Sequence, residues 1–180
     1  MAAHRTAPKS TPRRKPPARK DAITVLTADH ERMRQLLHQL ENADAAFADK
    51  REELLGLIEV ELKVHTQIEE QLFYPAFRQA AHGGEDRKLY YEALEEHHVV
   101  DLVLPEIREA DPRSNEFAAK AKVLKDLVEH HAEEEESEMF RRARKLISRK
   151  DLARLGEELE RTREAVQPGT LDRLVGLVRP

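Results

Sequence analysis

The sequence predicts an all-α protein: an up-down-up-down four-helix bundle with an additional C-terminal helix and a disordered N-terminal arm. Three observations carry this. Charged residues make up 37% of the chain and aromatics only 4%, a balance suited to long helices and poor for β-sheets. Apolar residues recur at the three- and four-residue spacing that keeps one helix face buried. The segments so marked also repeat, the second half of the body following the first at an offset of 66 or 67 residues. At 180 residues the chain has room for one such bundle and its extensions.

Residues 1–21 read as the arm. Its first twenty positions hold seven cations and no acid, with four prolines and almost no large apolar side chains, so they cannot bury enough surface to order themselves. The remainder carries 24 basic against 35 acidic residues, and the net charge of -4 is therefore a basic arm on an acidic body. Residues 1–20 are a candidate contact for nucleic acid or another acidic partner through counterion release, or else a solubilising tail.

The bundle spans residues 22–147. The first helix runs from about Ala22 to Phe47 on a seam of Ile23, Leu26, Met33, Leu37 and Leu40, with His30 between Leu26 and Met33. The second runs from about Asp49 to Ala81 on Leu55, Ile58, Leu62, His65, Glu69, Leu72 and Ala76, and ends at His82-Gly83-Gly84. The third, about Glu85 to Ala110, carries Tyr90, Ala93, His97, Val100, Leu104 and Ile107, with a kink expected at Pro105. Ser114 opens the fourth, which extends to about Ile147 on Phe117, Ala121, Leu124, Val128, His131 and Glu135. Residues 148–180 form a helical extension with a thinner stripe of Leu152, Leu155, Leu159 and Val166, ended by Gln167-Pro168-Gly169. It is expected to pack on the bundle or to mediate a homodimer.

Polar residues interrupt every seam, and loop positions bring them to one level. In an antiparallel pair, facing residues are equidistant from the connecting loop. The midpoint of His30 and His65 is 47.5, that of Glu69 and His97 is 83, and that of His97 and His131 is 114, each inside a turn marked by glycine, proline or polar residues. Register favours Glu69 over Glu70, His97 over His98, and the pair His131 and Glu135 over His130 and Glu134. Each alternative would turn charged side chains into the seam. Asp101, one turn beyond His97, is a candidate hydrogen-bond partner for it.

Four imidazoles and two carboxylates at one buried level exceed the needs of a tetrahedral zinc ion and suit two six-coordinate metals bridged by the glutamates. Nitrogen and oxygen donors without thiolate place iron ahead of manganese or zinc. The chain contains no cysteine, which excludes disulfides, thiolate metal sites and a cysteine nucleophile. No apolar run is long enough for a membrane span, so a soluble, cytoplasmic protein without membrane attachment is expected.

Asp29-His30, His65-x-x-x-Glu69-Glu70 with Tyr74-Pro75, Glu96-His97, and His131-x-x-x-Glu135 with Phe140 together resemble the hemerythrin-like, or HHE cation-binding, domain family. The resemblance covers residues 22 to about 147. It implies a non-haem di-iron centre, oxo- or hydroxo-bridged, held by His30, His65, Glu69, His97, His131 and Glu135. It also implies a small diatomic or peroxide ligand, in dioxygen binding, oxidative or nitrosative stress responses or iron homeostasis. Glu69 stands where oxygen carriers have the second histidine of a His-x-x-x-His pair, so the second helix is more similar to stress-related and iron-sensing relatives. A binding or sensing protein is thus the first expectation, and a di-iron enzyme with peroxidase, catalase-like or ferroxidase activity the second. A nucleic-acid-associated protein acting through its arm is the third. Alanine at Glu69 or Glu135 should cost the metal, whereas alanine at Glu70 or His98 should not.

Overall fold

The computed structural model describes residues 20–166, in which every regular element is helical. Of the arm expected over residues 1–21, residues 1–19 lie outside the described residues, as does the tail from Gln167 onward; Lys20 and Asp21 are described, and Asp21 belongs to the first helix as its cap. Helix α1 is Ala22–Glu41. Helix α2 is continuous through Ala48–Ile68, a π-helical turn at Glu69–Phe73, and Tyr74–Ala80. Helix α3 is Gly84–Glu109. Helix α4 runs through Asn115–Glu134, a second π-helical turn at Glu135–Met139, and Phe140–Leu146. Helix α5 is Arg149–Val166. The first four form the bundle, and α5 packs on α1 and α2.

Local chemistry sets the helix ends. Asp21 caps α1 by accepting from the Thr24 amide at 2.8 Å, and Ser114 caps α4 by accepting from Phe117 at 3.0 Å. The first helix stops at Glu41, six residues before the expected Phe47. There the Asn42 side chain donates to the His38 carbonyl at 2.7 Å, and Asp44 accepts from the Ala46 amide at 2.8 Å, so side chains replace the helical ladder. Pro105 lies inside α3 without ending it. Buried Arg51 ties this end of the bundle together, donating to Ala43 O on one loop at 2.7 and 2.9 Å and to Pro112 O on the other at 2.7 Å.

Both π-helical turns begin at the seam glutamates. The Tyr74 amide bonds to Glu69 O, and the Phe140 amide to Glu135 O, each five residues back instead of four. One extra residue per turn rotates the following seam. Hence Phe73 and Phe77 are buried where the sequence pattern expected Leu72 and Ala76. Tyr74 and Phe140 occupy equivalent places after the two turns.

The polar level divides the core. On one side pack Ile23, Leu26, Ile68, Phe73, Phe77 and Phe140 with the α5 residues Leu152, Leu155 and Leu159. On the other pack Met33, Leu37, Ile58, Leu62, Phe117 and Leu124. Helix α5 approaches the start of α1 at Gly156, where an added Cβ would press on Lys20 O and lie within 2.8 Å of Asp21 C and 2.9 Å of Ala22 N. Gly156→Ala is therefore expected to lower stability by about 1–2 kcal/mol, because backbone overpacking outweighs the helix propensity gained. A thermal melt of the variant checks this, and an unchanged or raised midpoint would contradict the close approach.

Candidate metal centre

His30, His65, Glu69, His97, His131 and Glu135 are all buried and all converge between the two apolar compartments. His30 and His65 face each other through Nε2 at 3.1 Å, and His97 and His131 do so at 3.2 Å. Glu135 Oε2 is 3.3 Å from His30 Nε2 and 3.8 Å from His131 Nε2. Glu69 Oε2 is 3.1 Å from His65 Nε2 and 3.3 Å from His97 Nε2. Each carboxylate thus spans histidines from both halves of the chain. The neighbouring His130 points outward, with 64% of its side chain exposed, which separates it from the buried His131.

The outer nitrogens explain why the inner ones converge. His30 Nδ1 meets Glu136 Oε1 at 2.8 Å, His97 Nδ1 meets Glu70 Oε1 at 2.9 Å, and His131 Nδ1 meets Glu96 Oε2 at 2.8 Å. A carboxylate accepts, so these Nδ1 atoms carry the protons and the Nε2 lone pairs are left pointing at the centre. The fourth histidine differs: Asp29 Oδ2 stands 3.6 Å from His65 Nδ1 because Arg32 and Arg163 both engage Asp29. Asp29, Glu70, Glu96 and Glu136 follow the same internal repeat as the residues that they orient. The expected partner of His97, Asp101, is exposed on α3, and Glu70 takes that place instead. The seam argument set Glu70 aside because it tested only which side chain lies inside, not which reaches an imidazole from behind.

Neither oxygen of Glu69 or of Glu135 has a hydrogen-bond donor among the described residues. Two unpartnered buried carboxylates facing imidazole lone pairs is an arrangement that a cation would complete, so the residues fit a metal. Their ligand atoms fall into two groups, His30, His65, His131 and Glu135, and Glu69, His97 and His131, each within 4.8 Å.

The pseudo-twofold symmetry is broken a second time. The Phe140 ring stacks on His30 at 5.6 Å between centroids, and the Tyr74 ring stacks on His97 at 5.5 Å. The equivalent Tyr74 adds a hydroxyl, 3.3 Å from His97 Nε2. Burial and the Glu135 and Glu69 carboxylates push this phenol well above its ordinary range, so it holds its proton. In the sequence this one-sided hydroxyl becomes legible only when Tyr74 and Phe140 are aligned by the repeat.

Opposing charges spread the titrations. Burial disfavours charge on Glu135, but His131 and His30 hold its carboxyl well below the usual range. Burial and repulsion from Glu135 push Glu69 well up. For His30, Glu135 and Glu136 outweigh burial and raise the imidazole above its ordinary 6.5, whereas burial and nearby imidazoles lower His65 and His97. In chelator-treated protein, side-chain NMR titration should therefore show His30 charging first as pH falls, with His65 and His97 still neutral at 6.5. A single shared midpoint would contradict this.

The family pattern described as "Hemerythrin HHE cation binding domain" matches residues 21–143. A crystal structure of a hemerythrin HHE cation-binding domain-containing protein from Mycobacterium kansasii superposes with a TM-score of 0.73 at 26% identity, covering 89% of this chain and 95% of that one. A protein named DNA nickase from Nostoc sp. is 27% identical over 143 residues, or 79% of this chain, which spans only 39% of that relative's length. With the pattern covering most of the bundle and the helices assembled in the same way, the chain belongs to the hemerythrin HHE cation-binding domain family.

Proposed function

We propose that the protein holds two non-haem iron ions at His30, His65, Glu69, His97, His131 and Glu135, and that it binds or senses dioxygen, peroxide or nitric oxide there. The observation that carries this reading is the pair of buried, donorless carboxylates, Glu69 and Glu135, set between inward-facing imidazoles. The hard and borderline donors favour iron over softer or fixed-geometry metals. Once bound, such a pair supplies reversible electron transfer and an exchangeable position for a small ligand.

The chain's own groups support small-ligand binding. A cavity of about 10 Å³ lies against His65, His97 and His131 and is otherwise lined mainly by Met33, Leu62, Val100 and Val128. It is about the size of one water and has apolar walls, which suits a diatomic molecule or peroxide better than an organic substrate. The Tyr74 hydroxyl offers a proton beside His97, on one side of the pseudo-twofold only.

Elemental analysis after iron-replete expression, with absorption spectra before and after reduction and re-exposure to air, tests the reading. About two irons per chain, with bands that bleach and return, are expected for a paired carboxylate-bundle site. Well-folded protein free of iron would overturn it. Peroxide turnover by the iron-loaded protein would favour the enzyme alternative, with peroxidase, catalase-like or ferroxidase chemistry, over a sensor.

A second reading is nucleic-acid association through residues 1–20. Its supports are the seven cations there without a single acid and the name of the Nostoc relative.

A further inference from the structure

We propose that the corner where α4 ends and α5 begins is a docking surface for the phosphate backbone of double-stranded DNA. The inference rests on the nucleic-acid reading above and adds a second point of attachment, on the folded body rather than on the arm.

Charge distribution points to it. Beyond residue 20 the chain is acidic, yet residues 141–154 hold seven cations against one acid, Asp151. Elsewhere Lys50, Lys88, Lys120, Lys122 and Lys125 each reach a carboxylate, and exposed cations without one among the described residues, such as Lys63, Arg87, Arg113 and Arg161, stand far apart in the sequence. At the corner Arg142 is neutralised by Asp86 and Glu138, Arg144 by Asp21, and Arg154 lies 3.6 Å from Asp151. Arg141, Lys145, Arg149 and Lys150 are exposed and have no carboxylate partner among the described residues. Four uncompensated cations on an acidic protein repel one another unless an anion is brought to them.

The corner also lies at the root of the basic arm. Arg144 Nη1 holds Asp21 Oδ2 at 2.9 Å, and Gly156 of α5 abuts Lys20. The chain that carries the six cations of residues 1–19 is therefore attached to the body at Lys20, next to this corner.

The surroundings select the class of polyanion. Exposed aromatic side chains that could stack on unpaired bases are absent from residues 141–154, which disfavours single strands. The apolar face of α5, with Leu152, Leu155 and Leu159, is buried against the bundle, and among the described residues of the corner Leu146 alone is a large exposed apolar side chain, too little for a lipid surface. What remains is point charge without base readout, the requirement for a duplex backbone.

Fluorescence anisotropy of the full-length protein with a labelled duplex of about 30 base pairs, from about 50 to 200 mM salt, tests this. The comparisons are a triple variant Lys145→Glu, Arg149→Glu, Lys150→Glu, a control Lys120→Glu, Lys122→Glu, and a chain lacking residues 1–19. The corner variant should bind at least about tenfold more weakly with a flatter salt dependence, by roughly 0.9 in slope for each phosphate that it no longer neutralises, while the control binds as wild type. Circular dichroism and iron content should not change in any of them. If the arm deletion abolishes binding but the corner variant binds normally, the corner is overturned and the arm reading survives. If wild type fails to retain the duplex, both fall, and preference for acidic phospholipid vesicles or for a single strand over the duplex would likewise overturn the proposal.

Discussion

Glu69→Ala and Glu135→Ala are each expected to lower metal affinity by more than about 100-fold, beyond what losing an outer partner of a ligand usually costs. Each carboxylate reaches histidines of both halves, so its loss takes a donor from both ends of the centre at once. The metal-free variants should nonetheless fold. Neither carboxylate has a hydrogen-bond donor among the described residues to leave stranded, and His30, which Glu135 helps to charge, can stay neutral without it. Competition with a chromophoric chelator measures the affinity, and circular dichroism separates metal loss from unfolding. Unchanged metal content in both variants would sink the ligand assignment.

The same assay grades the outer groups. Glu70→Ala, which the sequence pattern expected to spare the metal, should cost about 10–100-fold, because Glu70 holds the Nδ1 proton of His97 and so aims its Nε2 inward. His98→Ala should match wild type, since His98 is exposed on the far side of α3. Glu70 behaving like His98 would mean that packing alone orients His97.

What the sequence disclosed here was periodic, and what it hid was not. Seam spacing and loop midpoints brought His30, His65, His97 and His131 to one level, because helical rise converts residue number directly into height. The π-helical turns were invisible to that logic, since a pattern read at 3.6 residues per turn cannot register an extra residue. Leu72 and Ala76 were expected inside for this reason, although the alignment of Phe73-Tyr74 with Met139-Phe140 held the signal. The backs of the imidazoles were missed because Glu70, Glu96 and Glu136 sit half outside the seam, where a carboxylate reads as solvated surface. The loop from Asn42 to Phe47 broke α1 early through side-chain hydrogen bonds that apolar spacing does not record.

Arg163 was beyond any such reading, and its replacement by methionine is expected to have the largest effect on stability. Arg163 lies on α5, outside the repeated body, yet its guanidinium is buried and engages Asp29, with Nη1 donating to Glu61 Oε1 at 3.0 Å. Burial pulls its pKa down to about 10, so it stays charged at neutral pH. Asp29 and Glu61 are also buried, and the other cation in reach is Arg32, which engages Asp29 and donates to Glu61 at 2.9 and 3.1 Å. Two carboxylates sharing one remaining arginine leave about one unit of buried charge uncompensated, a loss of about 3 kcal/mol. For a protein of this size that is a fall of about 10 °C in thermal midpoint. Adding Asp29→Asn should restore part of it by removing the orphaned charge, which a merely steric role for Arg163 would not allow. Asp29 also faces His65 Nδ1, so Arg163→Met, by releasing Asp29 toward that nitrogen, should change metal affinity as well, making α5 part of what sets the centre. A variant that melts with wild type and keeps its metal would show that Arg32 alone neutralises both carboxylates and that α5 is only packed against the bundle.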